Sequence, residues 1–184
     1  MSTRAPRTTR TADARQRAAE VLARVEADRA FAAAALDAAL DRAPALDPRD
    51  RGFATELVYG ALRSLGALDA ALGRHARDGV RSILKLDPWT RAVLRVAAYQ
   101  ILALDRVPPR AAVSAAVDAI RAQRSAGLAG FANAVLRKVA ADRPDPMPPD
   151  ARVELAMRAV PDEVFSRITP LLGDDGARAH LRAA

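Results

Sequence analysis

The chain has 184 residues, a net charge of +7 and no cysteine. This length is sufficient for one well-buried domain and a short additional segment, and the missing cysteine excludes disulfides, thiolate zinc sites and cysteine nucleophiles. No apolar run approaches the roughly 20 residues of a membrane span, and the first residues lack the apolar core of a signal peptide, so we expect a cytoplasmic protein without a membrane partner.

The positive charge is concentrated at the amino terminus. Residues 1–17 contain five arginines and one aspartate, so they carry four of the seven net positive charges. We predict a basic arm over residues 1–11 whose guanidinium groups pair with the phosphates of a nucleic acid, with a solubilising tail as the alternative. Arg15 and Arg17 enter the first helix and form a rigid anchor for the same partner in one interpretation. In the other, Arg17 pairs with Glu20.

Helical periodicity continues through the first 64 residues. Apolar residues at 18, 21, 22 and 25 share one helix face, which predicts an amphipathic helix capped near Thr11 or Asp13. A second helix is predicted over residues 31–42, and a third over residues 48–64 with Asp47 as its N-cap.

The third predicted helix contains two interior glycines, Gly52 and Gly60. Each is expected to cost about 1 kcal/mol relative to alanine. Their presence predicts that another helix or a backbone segment approaches closely at both positions.

A fourth helix is predicted over residues 65–77 and a connector over residues 82–86. The following helix, over residues 87–104, is apolar nearly all round, which predicts a central position in the fold. Its one amphiphilic stripe consists of Arg91, Arg95 and Tyr99, spaced four residues apart. Two interpretations are open: these long side chains cover an otherwise apolar helix, or they contact a nucleic acid.

Two further helices follow, one after Pro108 and Pro109 and one entered between Gly127 and Gly130, which makes seven before residue 144. Asn133 and Arg137 lie one turn apart on one face of the last of them. Because asparagine is a poor interior helix residue, we expect Asn133 to bond a neighbouring backbone, with direct contact to a nucleic acid as the alternative.

Four prolines within residues 144–150 predict a semi-rigid linker. Residues 151–184 are predicted to form two short helices broken near Pro161, Pro170 and Gly173. This extension has little apolar surface of its own, so we expect it to pack against the main domain or against a partner outside this chain.

No catalytic or metal-binding pattern is found in the sequence. The two histidines, His75 and His180, lie far apart, and there is no dinucleotide-binding, Walker or nucleophile-elbow motif. We therefore expect neither a catalytic residue nor a metal site on this chain.

Three strings are far more specific: ATELVYGALR at 54–63, LRVAAYQILALDRVPPRAAVSAAV at 94–117 and GFANAVLR at 130–137. Together they resemble the NusB-like fold, and they are most similar to the amino-terminal RNA-binding domain of the RsmB (Sun/Fmu) family of ribosomal RNA cytosine methyltransferases. Arg137 after Leu136 favours that group over the free-standing NusB antitermination factors, which tend to carry an acidic residue there. The chain departs from the family pattern at Ala97, Arg110 and Ala115, where Gly, His and Glu are common. The last departure removes a charge near the turn.

The resemblance implies an all-α fold over residues 12–143, with two three-helix subdomains and a connecting helix, followed by the helical extension. It also implies that residues 151–184 lead toward a separate methyltransferase domain, which would bind S-adenosylmethionine and supply the cysteine that attacks cytosine. This chain is then expected to need no cofactor, and to recognise small-subunit ribosomal RNA without catalysing the reaction.

Two other functions remain open. NusB-like bundles also serve transcription antitermination as RNA-binding and protein-interaction modules, so a ribosomal protein is a second expected partner, besides a catalytic methyltransferase domain. A DNA-reading helix-turn-helix is disfavoured, because the core requires the apolar faces of both helices that the Pro108–Pro109 turn joins.

The candidate residues fall into two groups. The RNA-binding candidates are Arg4, Arg7, Arg10, Arg15, Arg17, Arg91, Arg95, Tyr99 and Arg137. The positions that match family motifs and are expected to have structural roles are Arg51, Tyr59, Gly60, Arg63, Gln100, Pro108, Phe131 and Asn133.

Overall fold

The computed structural model describes the backbone of residues 7–183 and the side chains of residues 14–182. This part of the chain forms ten helices and no strand, which confirms the all-α prediction. The helices are α1 Arg7–Asp28, α2 Ala32–Asp41, α3 Pro48–Arg63, α4 Leu65–Gly73, α5 Val80–Leu84, α6 Pro88–Ala103, α7 Pro109–Gln123, α8 Ala126–Ala141, α9 Ala151–Met157 and α10 Asp162–Ala183. Among the described helices, none combines the length and apolarity that crossing a bilayer requires.

The bundle is organised around α6. Every residue from Thr90 to Ile101 is buried, as the apolar sequence of this helix predicts. Helices α1, α2 and α3 pack on one another, and α1 and α3 contact α6; helices α7 and α8 pack on each other, and both contact α6. Helix α4 contacts α3, α6 and α8, and α5 packs on α4. This arrangement confirms the two three-helix subdomains that the family resemblance implies.

Helix starts follow the capping signals in the sequence. Asp47 accepts a hydrogen bond from the Asp50 amide at 3.0 Å, and Asp87 accepts one from the Thr90 amide at 3.1 Å. In both helices proline follows the capping aspartate and occupies the first turn.

Three predicted boundaries were wrong. Helix α1 begins at Arg7, upstream of the predicted cap near Thr11 or Asp13, because no glycine or proline interrupts the chain between residues 7 and 13. Eight helices precede the proline-rich linker, whereas seven were predicted. The additional helix is α5, which overlaps the predicted connector; its five residues are too few for apolar periodicity to reveal a helix. Helix α10 continues through Pro170, where a break was predicted. Its backbone departs from helical angles only at Gly173, the other position at which this helix was predicted to break.

The prediction for the two interior glycines was correct only for Gly60. A Cβ atom built on Gly60 would lie 2.0 Å from Cζ of Tyr99, so the Tyr99 ring occupies the space that a side chain would need. Gly52 is exposed and has no heavy atom within 4 Å of a Cβ, so no close approach explains it.

The extension is attached to the bundle through α9. This helix packs against α6 and α3, and its Leu155 is buried. Helix α10 packs against α9 and leaves Leu171 80% exposed. The extension therefore packs against the main domain through α9, as expected.

Candidate nucleic-acid interface

Arg91 and Arg95 lie inside the bundle, in a charged cluster with Glu26 and Asp69. Arg95 donates from Nε and Nη2 to the two carboxylate oxygens of Asp69, at 2.8 and 2.7 Å, and from Nη1 to Glu26 at 2.9 Å. Arg91 donates from Nε to the same Glu26 oxygen at 3.0 Å. The two arginines are only 8% and 5% exposed. Both guanidinium groups are buried and satisfied within the fold, which favours a structural role over the alternative of contact with a nucleic acid.

The electrostatic balance of this cluster favours charged Arg95. Burial by itself lowers the pKa of Arg95, but the hydrogen bonds and charges of Asp69 and Glu26 outweigh it, so the pKa is raised above its ordinary value. The cluster joins α1, α4 and α6, and its role is to hold the bundle together.

Tyr99 is also an internal residue, at 1% exposure. Its hydroxyl donates to Glu56 of α3 at 2.6 Å, and Glu56 pairs with Arg152 of α9 at 3.5 Å. Burial, and then the bond to Glu56, raise the pKa of Tyr99. Tyr99 therefore links α6 to α3 and α9, which favours a structural role over the alternative of contact with RNA.

Helix α1 places Arg15 at the edge of the core. Its Nε donates to Oε1 of Gln100 at 2.6 Å, and its guanidinium lies 5.4 Å from the centroid of the Phe53 ring. Gln100 in turn donates to the Val96 carbonyl at 2.9 Å, so its buried amide is satisfied. Desolvation by burial lowers the pKa of Arg15, while the charge of Asp50 acts in the opposite direction. Arg15 is therefore held in one orientation.

The other amino-terminal candidates are less informative. Arg17 donates to Glu20 at 2.7 Å, which is the alternative pairing considered from the sequence. Arg4 lies outside the described residues, as do the side chains of Arg7 and Arg10, whose backbone belongs to α1.

The family-motif positions have varied surroundings. Arg51 donates to the Leu40 carbonyl at 3.0 Å and so ties α3 to α2. Pro108 is the N-cap of α7, and Phe131 is half-buried against the core. Tyr59 and Arg63 are exposed on α3.

A groove between α7 and α8 presents three arginines on one surface. Its volume is about 610 Å³, and we call it the α7/α8 groove. Polar side chains line it from both helices: Arg110, Ser114, Asp118, Arg121, Asn133 and Arg137. Asn133 makes no hydrogen bond to any described residue, so the predicted backbone bond is not found and its amide remains available to a ligand.

The α7/α8 groove is positively charged. All three arginines are exposed, and Asp118 is the only carboxylate in the lining. Asp118 pairs with Arg121 at 3.4 Å, whereas Arg110 and Arg137 have no ion-pair partner among the described residues. Arg137 was predicted from the sequence, while Arg110 and Arg121 were missed. Their spacing of eleven residues on one helix, three turns apart, is the signal that would have grouped them.

A second cavity, of about 590 Å³, lies between α1, α6 and α7; we call it the α1/α6/α7 pocket. Alanine is the commonest residue in its wall, and Trp89, the only tryptophan of the chain, lines it. The Arg124 guanidinium lies 4.7 Å from the centroid of the Trp89 ring and donates to Asp87 at 3.0 Å. Burial alone raises the pKa of Asp87, but hydrogen bonds from Arg124 and Thr90 lower it to about 2. Asp87 is therefore ionised at neutral pH and fixes Arg124 on the indole.

Known proteins similar to this chain fall into two groups. A probable ribosomal RNA small subunit methyltransferase B from Synechocystis sp. is 38% identical over 68% of this chain and 27% of its own length. The ribosomal RNA small subunit methyltransferase B of Thermus thermophilus is 42% identical over 67% of this chain and 29% of its own length. The transcription antitermination protein NusB of Leifsonia xyli subsp. xyli is 29% identical over 71% of this chain and 91% of its own length. The chain thus spans less than a third of the methyltransferases it matches.

Solved structures agree on the fold. A crystal structure of antitermination factors NusB and NusE in complex with dsRNA matches with a TM-score of 0.65 at 20% identity, over 73% of this chain and 98% of that chain. NusB of T. maritima matches with a TM-score of 0.67 at 21% identity, over 78% of this chain and 97% of that chain. The NusB family model matches residues 12–141. The resemblance predicted from the sequence is confirmed, and the chain belongs to the NusB family.

Proposed function

We propose that this chain is an RNA-binding module that positions small-subunit ribosomal RNA for a cytosine methyltransferase and carries out no chemistry itself. The α7/α8 groove is the observation that carries the proposal. It brings Arg110, Arg121 and Arg137 from two helices onto one exposed surface that holds a single carboxylate. Guanidinium forks of this kind match phosphate oxygens, and the unpaired Asn133 amide adds a neutral donor and acceptor.

The relatives support the methyltransferase part of the proposal. Two of them are named as ribosomal RNA small subunit methyltransferases, and this chain matches only a minor share of their length. In the proposal, S-adenosylmethionine and the attacking cysteine belong to a separate domain. The basic arm over residues 1–11, with Arg4, Arg7 and Arg10, is proposed to add phosphate contacts next to Arg15.

The groove predicts a measurable salt dependence. If three or four phosphates are neutralised, the slope of log affinity against log salt should be roughly −2 to −3 for single-stranded RNA. Arg137→Ala should weaken binding to transcribed small-subunit ribosomal RNA and reduce the size of the slope by about 0.7, the share of one phosphate. Fluorescence anisotropy at several salt concentrations measures both quantities.

The matched control is Arg42→Ala, which removes an exposed arginine from the end of α2, a helix that packs on α1 and α3. It should leave the slope unchanged. Slopes equal to that of the wild type for both Arg137→Ala and Arg110→Ala would contradict the groove as the RNA surface. Deleting residues 1–10 tests the arm separately, because an unchanged slope would remove the arm from the proposal.

A protein-interaction module is the second candidate, because the same fold is seen in the complex of NusB and NusE with dsRNA. In that case the chain should bind a ribosomal protein tightly without RNA. Pull-down of purified ribosomal proteins with RNase-treated chain distinguishes the two functions.

We also expect no methyl transfer by the isolated chain. Methylation of cytosine carbon 5 in this family requires a cysteine that adds to carbon 6, and the sequence has none. Incubating the pure chain with radiolabelled S-adenosylmethionine and ribosomal RNA should leave the RNA unlabelled. Protein-dependent incorporation of label would show that this chain is itself an enzyme.

A further inference from the structure

The α1/α6/α7 pocket and the α7/α8 groove share a wall. Ser114 and Asp118 of α7 line both of them, so an RNA strand that crosses the groove also passes the rim of the pocket. Resting on the proposed RNA-binding function, we propose that the α1/α6/α7 pocket accepts an unpaired nucleobase of the strand whose phosphates lie in the α7/α8 groove.

The size and the wall of the pocket fit a flat aromatic ligand. Its volume of about 590 Å³ falls within the roughly 300–1,000 Å³ of small-molecule sites. The space exists because alanines line the α6 and α7 walls, among them Ala97, Ala115 and Ala119. Methyl groups of this kind give an apolar surface for the faces of a base, and any larger aliphatic side chain at these positions would narrow the cavity.

Polar groups lie in the lining, where the edge of a base needs partners. The Gln16 amide donates to Glu20 at 3.2 Å, and its carbonyl oxygen has no described partner. Ser114 donates to Asp118 at 3.3 Å, which leaves further acceptor positions on that carboxylate. Donors and acceptors on the Watson–Crick edge of an unstacked base are recognised by groups of these types.

Arg15 supplies a planar cation to the same pocket. Gln100 and the Phe53 ring hold its guanidinium in place, so little side-chain entropy is lost when a base stacks on it. Burial has already removed part of the hydration of Arg15, so less hydration is lost when an anionic strand binds next to it.

The neighbouring charge favours a nucleic acid over an apolar protein segment. An apolar segment would fill the pocket but make no use of Arg110, Arg121 and Arg137 across the shared wall. A nucleic acid strand offers flat apolar bases for the pocket and phosphates for the arginines at the same time.

The position of Trp89 provides a specific test, because it is the only tryptophan and lines the pocket. We expect a single-stranded 12-nucleotide RNA to quench Trp89 emission, and a blunt duplex of the same sequence to bind with little quenching. Ala115→Leu narrows the pocket, because the added carbons occupy space that a base would need. It should abolish the quenching and weaken single-strand binding by at least about 5-fold, the lower end of the range for one stacked base, with duplex affinity unchanged.

Two further variants provide a replacement for Ala115→Leu and a matched control. Ala115→Glu places a charged, good helix former at the same half-buried position and should also abolish the quenching and weaken single-strand binding if the leucine variant folds poorly. Its negative charge should weaken duplex binding as well, so duplex affinity is compared for the leucine variant alone. Ala122→Leu is the matched control, because Ala122 is exposed on the same helix and lines neither cavity. It should behave like the wild type.

The outcomes separate the two proposals. If neither RNA binds to the wild type, the proposed function itself fails. If RNA binds but Trp89 emission does not change, or Ala115→Leu and Ala115→Glu bind the single strand normally, only the base pocket is overturned. Loss of ribosomal-protein binding in these variants with RNA binding intact would also overturn it, by assigning the pocket to a protein.

Discussion

Replacing Asp69 with alanine is expected to lower the free energy of unfolding by about 3–5 kcal/mol, the usual cost of removing one partner of a buried ion pair. Asp69 accepts two hydrogen bonds from Arg95, at 2.8 and 2.7 Å, and both residues are buried. Without Asp69, Arg95 would keep only Glu26, which it shares with Arg91. The loss would be a large share of the roughly 5–15 kcal/mol that stabilises a typical domain.

Urea unfolding followed by circular dichroism measures this loss, with Asp118→Ala as the matched control. Asp118 also pairs with an arginine, but both side chains of that pair are more than 60% exposed. We therefore expect Asp118→Ala to change stability by less than about 0.5 kcal/mol. A double variant, Asp69→Leu with Arg95→Met, should recover most of the loss, because no unpaired charge remains buried. Equal stability of Asp69→Ala and Asp118→Ala would contradict the role assigned to the cluster.

The sequence predicted the central helix correctly but not the environment of its polar stripe. The four-residue spacing of Arg91, Arg95 and Tyr99 shows that they share a face of α6, and it carries no information about what that face contacts. Their partners lie far away in sequence: Glu26 is 65 residues before Arg91 and 69 before Arg95, and Glu56 is 43 residues before Tyr99. Only the packing of α1, α3 and α4 on α6 brings these ion-pair and hydrogen-bond partners together.

The candidate interface was predicted only in part, again because spacing along one helix does not show which element lies beside it. Arg137 stood out because it follows a recognisable string, whereas Arg110 and Arg121 belong to an α7 face whose importance depends on α8 lying beside it. The α1/α6/α7 pocket leaves no motif at all, because it arises from small residues on separate helices that do not fill the space between them. Recognising a cavity of this kind requires the relative positions of α1, α6 and α7 in the folded structure.

The interior glycines of α3 give the second large prediction. Helix propensity alone says that Gly60→Ala should stabilise the protein by about 1 kcal/mol. The structure predicts the opposite, because the new Cβ would lie 2.0 Å from Cζ and 2.2 Å from the hydroxyl oxygen of Tyr99. Tyr99 is buried and bonded to Glu56, so its ring has no free space to move into. Overpacking of this kind typically costs about 1–3 kcal/mol and occasionally more. A contact this close lies at the upper end of that range, so after the propensity gain of about 1 kcal/mol we expect a net loss of about 2 kcal/mol.

Gly52→Ala is the control in the same helix, because nothing lies within 4 Å of a Cβ at that exposed position. Propensity should act there unopposed and raise the unfolding free energy by up to about 1 kcal/mol. Repeating Gly60→Ala in a Tyr99→Ala background removes the ring that the methyl group meets, so the cost of the glycine substitution should disappear and the two changes should be strongly non-additive. If Gly60→Ala instead stabilises the wild-type protein as Gly52→Ala does, the close contact between α3 and the Tyr99 ring does not exist, and the attachment of α9 through Glu56 would have to be reconsidered with it.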